Sequence, residues 1–275
     1  MALHYDGFCF ERSASIRVFA PWSVLSFLQT PSADFPSYWV WSAGQPSLLR
    51  HYLAKGHELA DPRTYAEPRR INLQRFESEY SYNNFDEEVV LTQAGYLTFV
   101  AKSGLDEMIV NYPNLEVAQA WASLYTADLL NSRSLSEVAK VDDPRNVFLN
   151  APAEEIMSLI NNIFMSLDYQ AHPIDKEVYC RSLLQSFLDG LGLAVQVERH
   201  NAFGRSDLEF DGPNRRVVFE LKMAQTEADE EKCLSRAVEQ IERNKYGEPS
   251  YGKSLLRIAM VYCVPKRIFS AWKVV

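Results

Sequence analysis

Gly204-Arg205-Ser206-Asp207-Leu208-Glu209-Phe210, followed after six residues by Val217-Val218-Phe219-Glu220-Leu221-Lys222, reads as two short strands carrying charge at chosen positions. Side chains at i and i+2 of a strand leave one face, and the one between leaves the other. Glu220 and Lys222 therefore address one site while Leu221 packs beneath them. Asp207 lies 13 positions before Glu220, which suits the facing strand of a hairpin turned at Asp211-Gly212-Pro213-Asn214. Two carboxylates and an ammonium at one point suit a divalent cation with a charge stabiliser beside it. Mg²⁺ takes oxygen ligands, keeps several waters, and needs only one or two carboxylates besides a substrate phosphate. Such an ion polarises a phosphoryl group and lowers the pKa of bound water. Lys222 is spaced to orient that water or to stabilise charge on the phosphate. The chemistry implied is phosphodiester hydrolysis. The same letters also fit an ordinary half-exposed strand, so the surrounding order of elements has to decide.

That order is informative. Pro173 to Asp189 reads as a helix, with Cys180, Leu183, Leu184, Phe187 and Leu188 at helical spacing and Gly190 and Gly192 ending it. Leu193 to Glu198 reads as a strand, Thr226 to Tyr246 as a long helix, Leu255 to Cys263 as a buried strand and Ile268 to Val274 as a last edge strand. On the long helix, Lys232, Arg236, Gln240 and Arg243 share a narrow arc, opposite Leu234, Ala237, Val238 and Ile241. A basic helical face beside a metal site is what a nucleic-acid backbone would meet, although charged stripes are commonly just solvated faces.

These residues resemble the PD-(D/E)XK nuclease superfamily, the restriction-endonuclease-like fold. Gly204-Arg205-x-Asp207, Phe219-Glu220-Leu221-Lys222, Gln240-Ile241 and Tyr246 are similar to the branch found as a C-terminal domain behind an AAA-ATPase-like domain in bacterial proteins. The resemblance implies an α/β (α+β) αβββαβ core. It implies that Asp207 and Glu220 bind Mg²⁺ or Mn²⁺ and that Lys222 is the catalytic lysine. Glu177 stands where many members carry a further metal-binding glutamate, with Glu198 a nearby competitor. Gln240 falls where this branch carries a functional glutamine. Arg205, Lys232, Arg236 and Arg243 complete the expected nucleic-acid contacts. Tyr5-Asp6-Gly7-Phe8-x-Phe10, Pro21-Trp22-Ser23-Val24-Leu25, Tyr38-Trp39-Val40 and Leu91-Thr92-Gln93-Ala94-Gly95-Tyr96-Leu97-Thr98 are similar to the segment that follows the ATPase core in that family. The expectation is the rear portion of a longer architecture, a natural short form or a truncated one, with an ATPase partner or missing ATPase domain.

Read from its residues, the front of the chain is mostly helical. Pro21 to Leu28, Gln45 to Lys55 and Phe85 to Gln93 read as helices, the last with Asp86, Glu87 and Glu88 at its dipole-favoured start. Tyr96 to Val100 and Met108 to Tyr112 then form a hairpin. Helix plus hairpin suggests a winged-helix-like module, which binds DNA or serves as a spacer. No Lys/Arg cluster marks its recognition helix, which favours the spacer. The expected layout is residues 1–130 as this module, 131–152 as a connection and 153–275 as the nuclease-like domain, with Pro152 to Leu167 a bridging helix.

Composition bounds the partners. The net charge is −8, with −2 from residues 151–275 and −6 from residues 1–150. Indiscriminate DNA binding is excluded, and any nucleic-acid contact must be a local patch. No apolar run reaches the roughly 20 residues that span a bilayer, no signal peptide opens the chain, and the four scattered cysteines fit reduced thiols. A cytoplasmic protein without zinc is expected, with homo-oligomers left open. Gly247-Glu248-Pro249-Ser250-Tyr251-Gly252-Lys253-Ser254 matches the phosphate-loop pattern, but a helix precedes it and a strand follows, the reverse of what phosphate binding needs. A surface loop is expected there. The function expected is metal-dependent cleavage of DNA, with RNA as a further substrate. The alternative is a non-catalytic nucleic-acid- or protein-binding module that works with an ATPase.

Overall fold

Runs of Val, Ile, Phe and Leu at the end of the chain build one mixed sheet. The computed structural model describes residues 1–31, 35, 37–39, 60–65, 67–76, 86–202 and 204–275. They divide into two compact units, Met1–Tyr125 and Thr126–Val275.

In the first unit, α1 (Ala2–Tyr5) and α2 (Pro21–Gln29) precede β1 (Arg69–Asn72), α3 (Glu87–Gln93), β2 (Thr98–Lys102), β3 (Glu107–Asn111) and α4 (Leu115–Leu129), within which the division falls. Asp86 caps α3 by accepting from Val89 N at 3.3 Å, as the acidic run at its start foretells. The expected hairpin forms as β2 and β3, and β1 adds a third strand in the order β1-β3-β2. Trp121 and Tyr96 meet edge to face at 5.3 Å in the core. The helix expected over 45–55 lies outside the described residues.

The second unit opens with α5 (Leu135–Ala139) and α6 (Pro144–Asn150), which occupy the segment expected as a connection. A capping box between Ser134 and Glu137 starts α5, and Asp143 caps α6. Then follow α7 (Ala153–Met165), α8 (Glu177–Gly190), β4 (Val195–Val197), β5 (Leu208–Asp211), β6 (Arg215–Ala224), α9 (Glu230–Asn244), β7 (Ser254–Cys263) and β8 (Ile268–Val274). From α8 onward this is the αβββαβ order with its last edge strand.

The sheet runs β4-β5-β6-β7-β8, with β6 and β7 parallel and the other pairs antiparallel. Strand β6 is buried on both faces from Arg216 to Leu221, as a central strand covered on both sides is, although one face carries Arg216, Glu220 and Lys222. On one face Val218 and Ala259 pack against Ala237 and Ile241 of α9. On the other, Phe219 meets Phe210, and Phe210 meets Phe148 of α6. Phe164 of α7 packs there against Phe187 of α8 and Phe269 of β8. Among the described residues no helix is long and apolar enough to cross a membrane.

Candidate functional site

Strands β5 and β6 place the first two charged residues. Their register pairs Leu208 with Phe219, so Asp207, one step further, stands beside Glu220. The hairpin closes where Gly212 N donates to Arg215 O at 2.7 Å. A side chain at Gly212 would strike Leu149 Cδ2 at 2.7 Å, which is why the turn carries a glycine.

Glu220 is wholly buried. Lys222, two residues on and on the same face, donates to Glu220 Oε1 at 2.5 Å and to Leu221 O at 3.1 Å, and its ammonium lies 4.0 Å from Asp207 Oδ2. Asp207 Oδ2 also accepts from Leu221 N at 2.9 Å. Glu220 Oε2 is buried with no hydrogen-bond partner. Burial, the negative charge of Asp207 and that of Glu177 push the Glu220 carboxyl up to about 7, against the opposing pull of Lys222. Burial works against the charge on Lys222, but Glu220, Asp207 and Glu177 together raise its pKa. The ammonium therefore keeps its proton, and it is the carboxylate that is strained electrostatically.

Helix α8 supplies the neighbours. Glu177, at its first position, accepts from Met223 N at 3.2 Å through Oε2. One turn later, Arg181 donates to Asp207 Oδ1 at 3.1 Å and pairs with Glu198 Oε1 at 3.2 Å. Glu198 also pairs with Arg205 at 3.0 Å, so it is tied to two arginines.

The rest of the expected set lies along α9. Lys232, Arg236 and Arg243 are exposed, and Ala237 and Ile241 are buried on the opposite side. Cys233 connects this face to the site. Its sulfur lies 3.6 Å from Met223 O, and the charges of Arg236, Glu177 and Lys232 all bear on it. Gln240 donates instead to Tyr246 Oη at 3.1 Å, as Asn244 Nδ2 does at 2.8 Å. A side chain at Gly204 would meet that Asn244 nitrogen at 2.7 Å, so the glycine lets the loop before β5 close on the end of α9. The structure thus gathers Asp207, Glu220, Lys222 and Glu177. Among the described residues, no hydrogen bond links Gln240 to them.

A family model of the PD-(D/E)XK nuclease superfamily matches residues 175–272, the segment from just before α8 into β8. Residues 175–272 form a PD-(D/E)XK nuclease superfamily domain. Nucleases of this superfamily typically use divalent metals and act on nucleic acid. A comparison with curated proteins gives no match.

The carboxylates of the PD-(D/E)XK domain can be tested for fit to such an ion. Among the described residues, no group of three or more His, Cys, Asp and Glu side chains is arranged to hold a metal. Glu177 holds the Met223 amide through one oxygen, and Asp207 holds Arg181 and the Leu221 amide through its two, so the pair is Asp207 and Glu220 by their adjacency across β5 and β6. Two carboxylates suffice for Mg²⁺, which keeps waters in the remaining positions. The buried, unpartnered Glu220 Oε2 fits a cation, because an orphaned acceptor costs about 1–3 kcal/mol or more.

Sequence reasoning missed Arg181 in the PD-(D/E)XK domain. Its i+4 spacing from Glu177 puts both on one helix face, a pattern shared with ordinary surface pairs. The 247–254 loop runs from α9 into β7. Its Gly247 and Pro249 carbonyls accept from Arg216 at 3.1 and 2.9 Å, and Lys253 lies 3.4 Å from Asp211. Carbonyls, not amides, face the charged group, the reverse of a phosphate cradle.

Proposed function

We propose that this protein hydrolyses phosphodiester bonds in DNA, with Mg²⁺ or Mn²⁺ held by Asp207 and Glu220. The observation that carries the reading is the buried Glu220 carboxylate, with one oxygen on Lys222 and the other unpartnered, beside Asp207. A bound divalent ion supplies polarisation of the phosphoryl group and a water of lowered pKa. Asp207 is oriented for this by the Leu221 amide and the Arg181 guanidinium, so its carboxylate needs little reorganisation. Lys222 stands between the two carboxylates and brings positive charge to where negative charge builds on the phosphate. Glu177 adds negative potential that favours a cation at the pair. Arg205, Lys232, Arg236 and Arg243 would contact the DNA backbone, and Gln240 would act through Tyr246 on the loop that leads into Asp207.

The test is cleavage of a mixed panel of DNA substrates by wild type and by Asp207→Ala, Glu220→Ala and Lys222→Ala. Each variant is expected to lose at least about 100-fold in rate, the scale of one lost charge-stabilising group, while keeping the wild-type circular dichroism spectrum. Full activity in any one of them refutes the assignment.

A net charge of −8 favours a second reading, a non-catalytic nucleic-acid- or protein-binding module serving an ATPase. Metal binding at Asp207 and Glu220 separates the two readings, because a purely structural module has no use for a divalent ion there.

A further inference from the structure

A second feature lies on the sheet face that α9 covers. A cleft of about 490 Å³ opens between residues 199–202, before β5, and residues 245–251, after α9. Glu209 and Arg216 line it, both buried and 3.3 Å apart. Arg216 also donates to Asp211 at 2.8 and 3.0 Å and to the Gly247 and Pro249 carbonyls. A buried guanidinium is costly unless its donors are met. Here those donors clamp the 247–251 loop against the sheet.

The clamped loop holds out a tyrosine. Tyr251 is 79% exposed, so packing does not explain it. Its backbone is left-handed, with φ +51°, a region where a bulky side chain is strained and glycine is not. Strain of this kind persists only where the surrounding structure holds it, here the Arg216 bonds to the loop. One side of the ring is backed by Arg216, whose guanidinium carbon lies 5.9 Å from the ring centre. An aromatic ring open to solvent on its other side is a stacking platform for a base. Across the cleft, Asn201 fixes the other wall by donating to Asn244 O at 2.8 Å and accepting from Gly204 N at 2.9 Å. That wall carries the exposed His200 and Arg199, whose guanidinium is paired with Glu209 at 2.8 Å and Asp211 at 3.5 Å.

We propose that this cleft binds an unpaired nucleotide of the substrate, its base stacked on Tyr251. The protein then works on single-stranded or frayed nucleic acid, an inference that rests on the nuclease reading above. The strand links the two places. Glu209 is two residues beyond Asp207, about 7 Å along β5. A free nucleoside triphosphate does not fit, because the loop turns carbonyls to Arg216, Lys253 faces Asp211, and Arg199 is paired with Glu209 at 2.8 Å.

The experiment is fluorescence anisotropy of the full chain with a labelled oligothymidylate and a blunt duplex, in chelator so that nothing is cut. Wild type is expected to bind the single strand several-fold more tightly than the duplex. Tyr251→Gly is expected to weaken single-strand binding about 10-fold, the scale of one base–aromatic stack. It should also melt no lower than wild type, because glycine relieves the left-handed strain. Tyr251→Phe should keep wild-type affinity. A Tyr251→Gly protein that binds like wild type, or a wild type that prefers blunt duplex, overturns the cleft assignment. If wild type still cuts duplex DNA in Mg²⁺, the nuclease reading survives that result. Tyr251-dependent binding in a wild type that cuts nothing supports the cleft and removes the nuclease reading instead.

Discussion

Glu220 sits at a balance that pH should tip. Its carboxyl is buried beside Asp207 and Glu177, and its pKa is raised to about 7. A carboxyl whose folded pKa exceeds its unfolded value binds more protons in the folded state. Its contribution to stability is therefore present below about pH 4.5 and lost as pH rises through about 7. In chelator, Glu220→Gln should therefore raise the melting temperature at pH 8 and change it little at pH 5. Thermal unfolding at both values checks this, and a variant that melts lower than wild type at pH 8 counts against it. Lys222 is legible in the sequence, because a strand's period of two leaves no other face for it once Glu220 is placed. Arg181 is not. A glutamate and an arginine four apart on a helix read as an ordinary surface pair, and only the packing of α8 turns that arginine onto Asp207.

At the scale of elements, α9 joins the sheet to its basic face. Ile241 is wholly buried in a cluster with Val218, Ala237, Tyr246 and Ala259. Ile241→Ala should cost about 2–5 kcal/mol, measured by urea unfolding, and a loss under 1 kcal/mol would show that α9 is not held this way. The helical period by itself separates this buried side from the exposed Lys232 and Arg236. The partner of Gln240 is not readable that way, because it depends on how the chain turns after Asn244 to bring Tyr246 back under the helix. Strand β1 also escapes a reading by pattern. Arg69-Arg70-Ile71-Asn72 has one apolar residue in four, and it is a strand only because β3 offers an edge to pair with.

At the scale of the molecule, the acidic balance sets how nucleic acid can be met. A chain at −8 repels a polyanion at long range, so attraction must come from a patch, and its salt dependence counts the phosphates touched. Replacing both Lys232 and Arg236 with alanine should lower the slope of log affinity against log salt by about 1.8 on duplex DNA, or about 1.4 on a single strand. Anisotropy titrations at several salt concentrations measure it, and an unchanged slope would move the contact off α9. The helix, three strands, helix and strand of the second unit are legible because each has a strong period and clear punctuation. The segment at 131–152 reads as a connection because its helices, Leu135–Ala139 and Pro144–Asn150, are too short to show a period.

The most direct measurement is calorimetric titration of Mn²⁺ and Mg²⁺ into wild type and into the Asp207→Ala, Glu220→Ala double variant at pH 8, where Glu220 is ionised. Millimolar or tighter binding by wild type that the double variant loses is the expected result. Equal binding by both proteins would contradict the metal site at this pair, and with it the chemistry assigned to the PD-(D/E)XK domain.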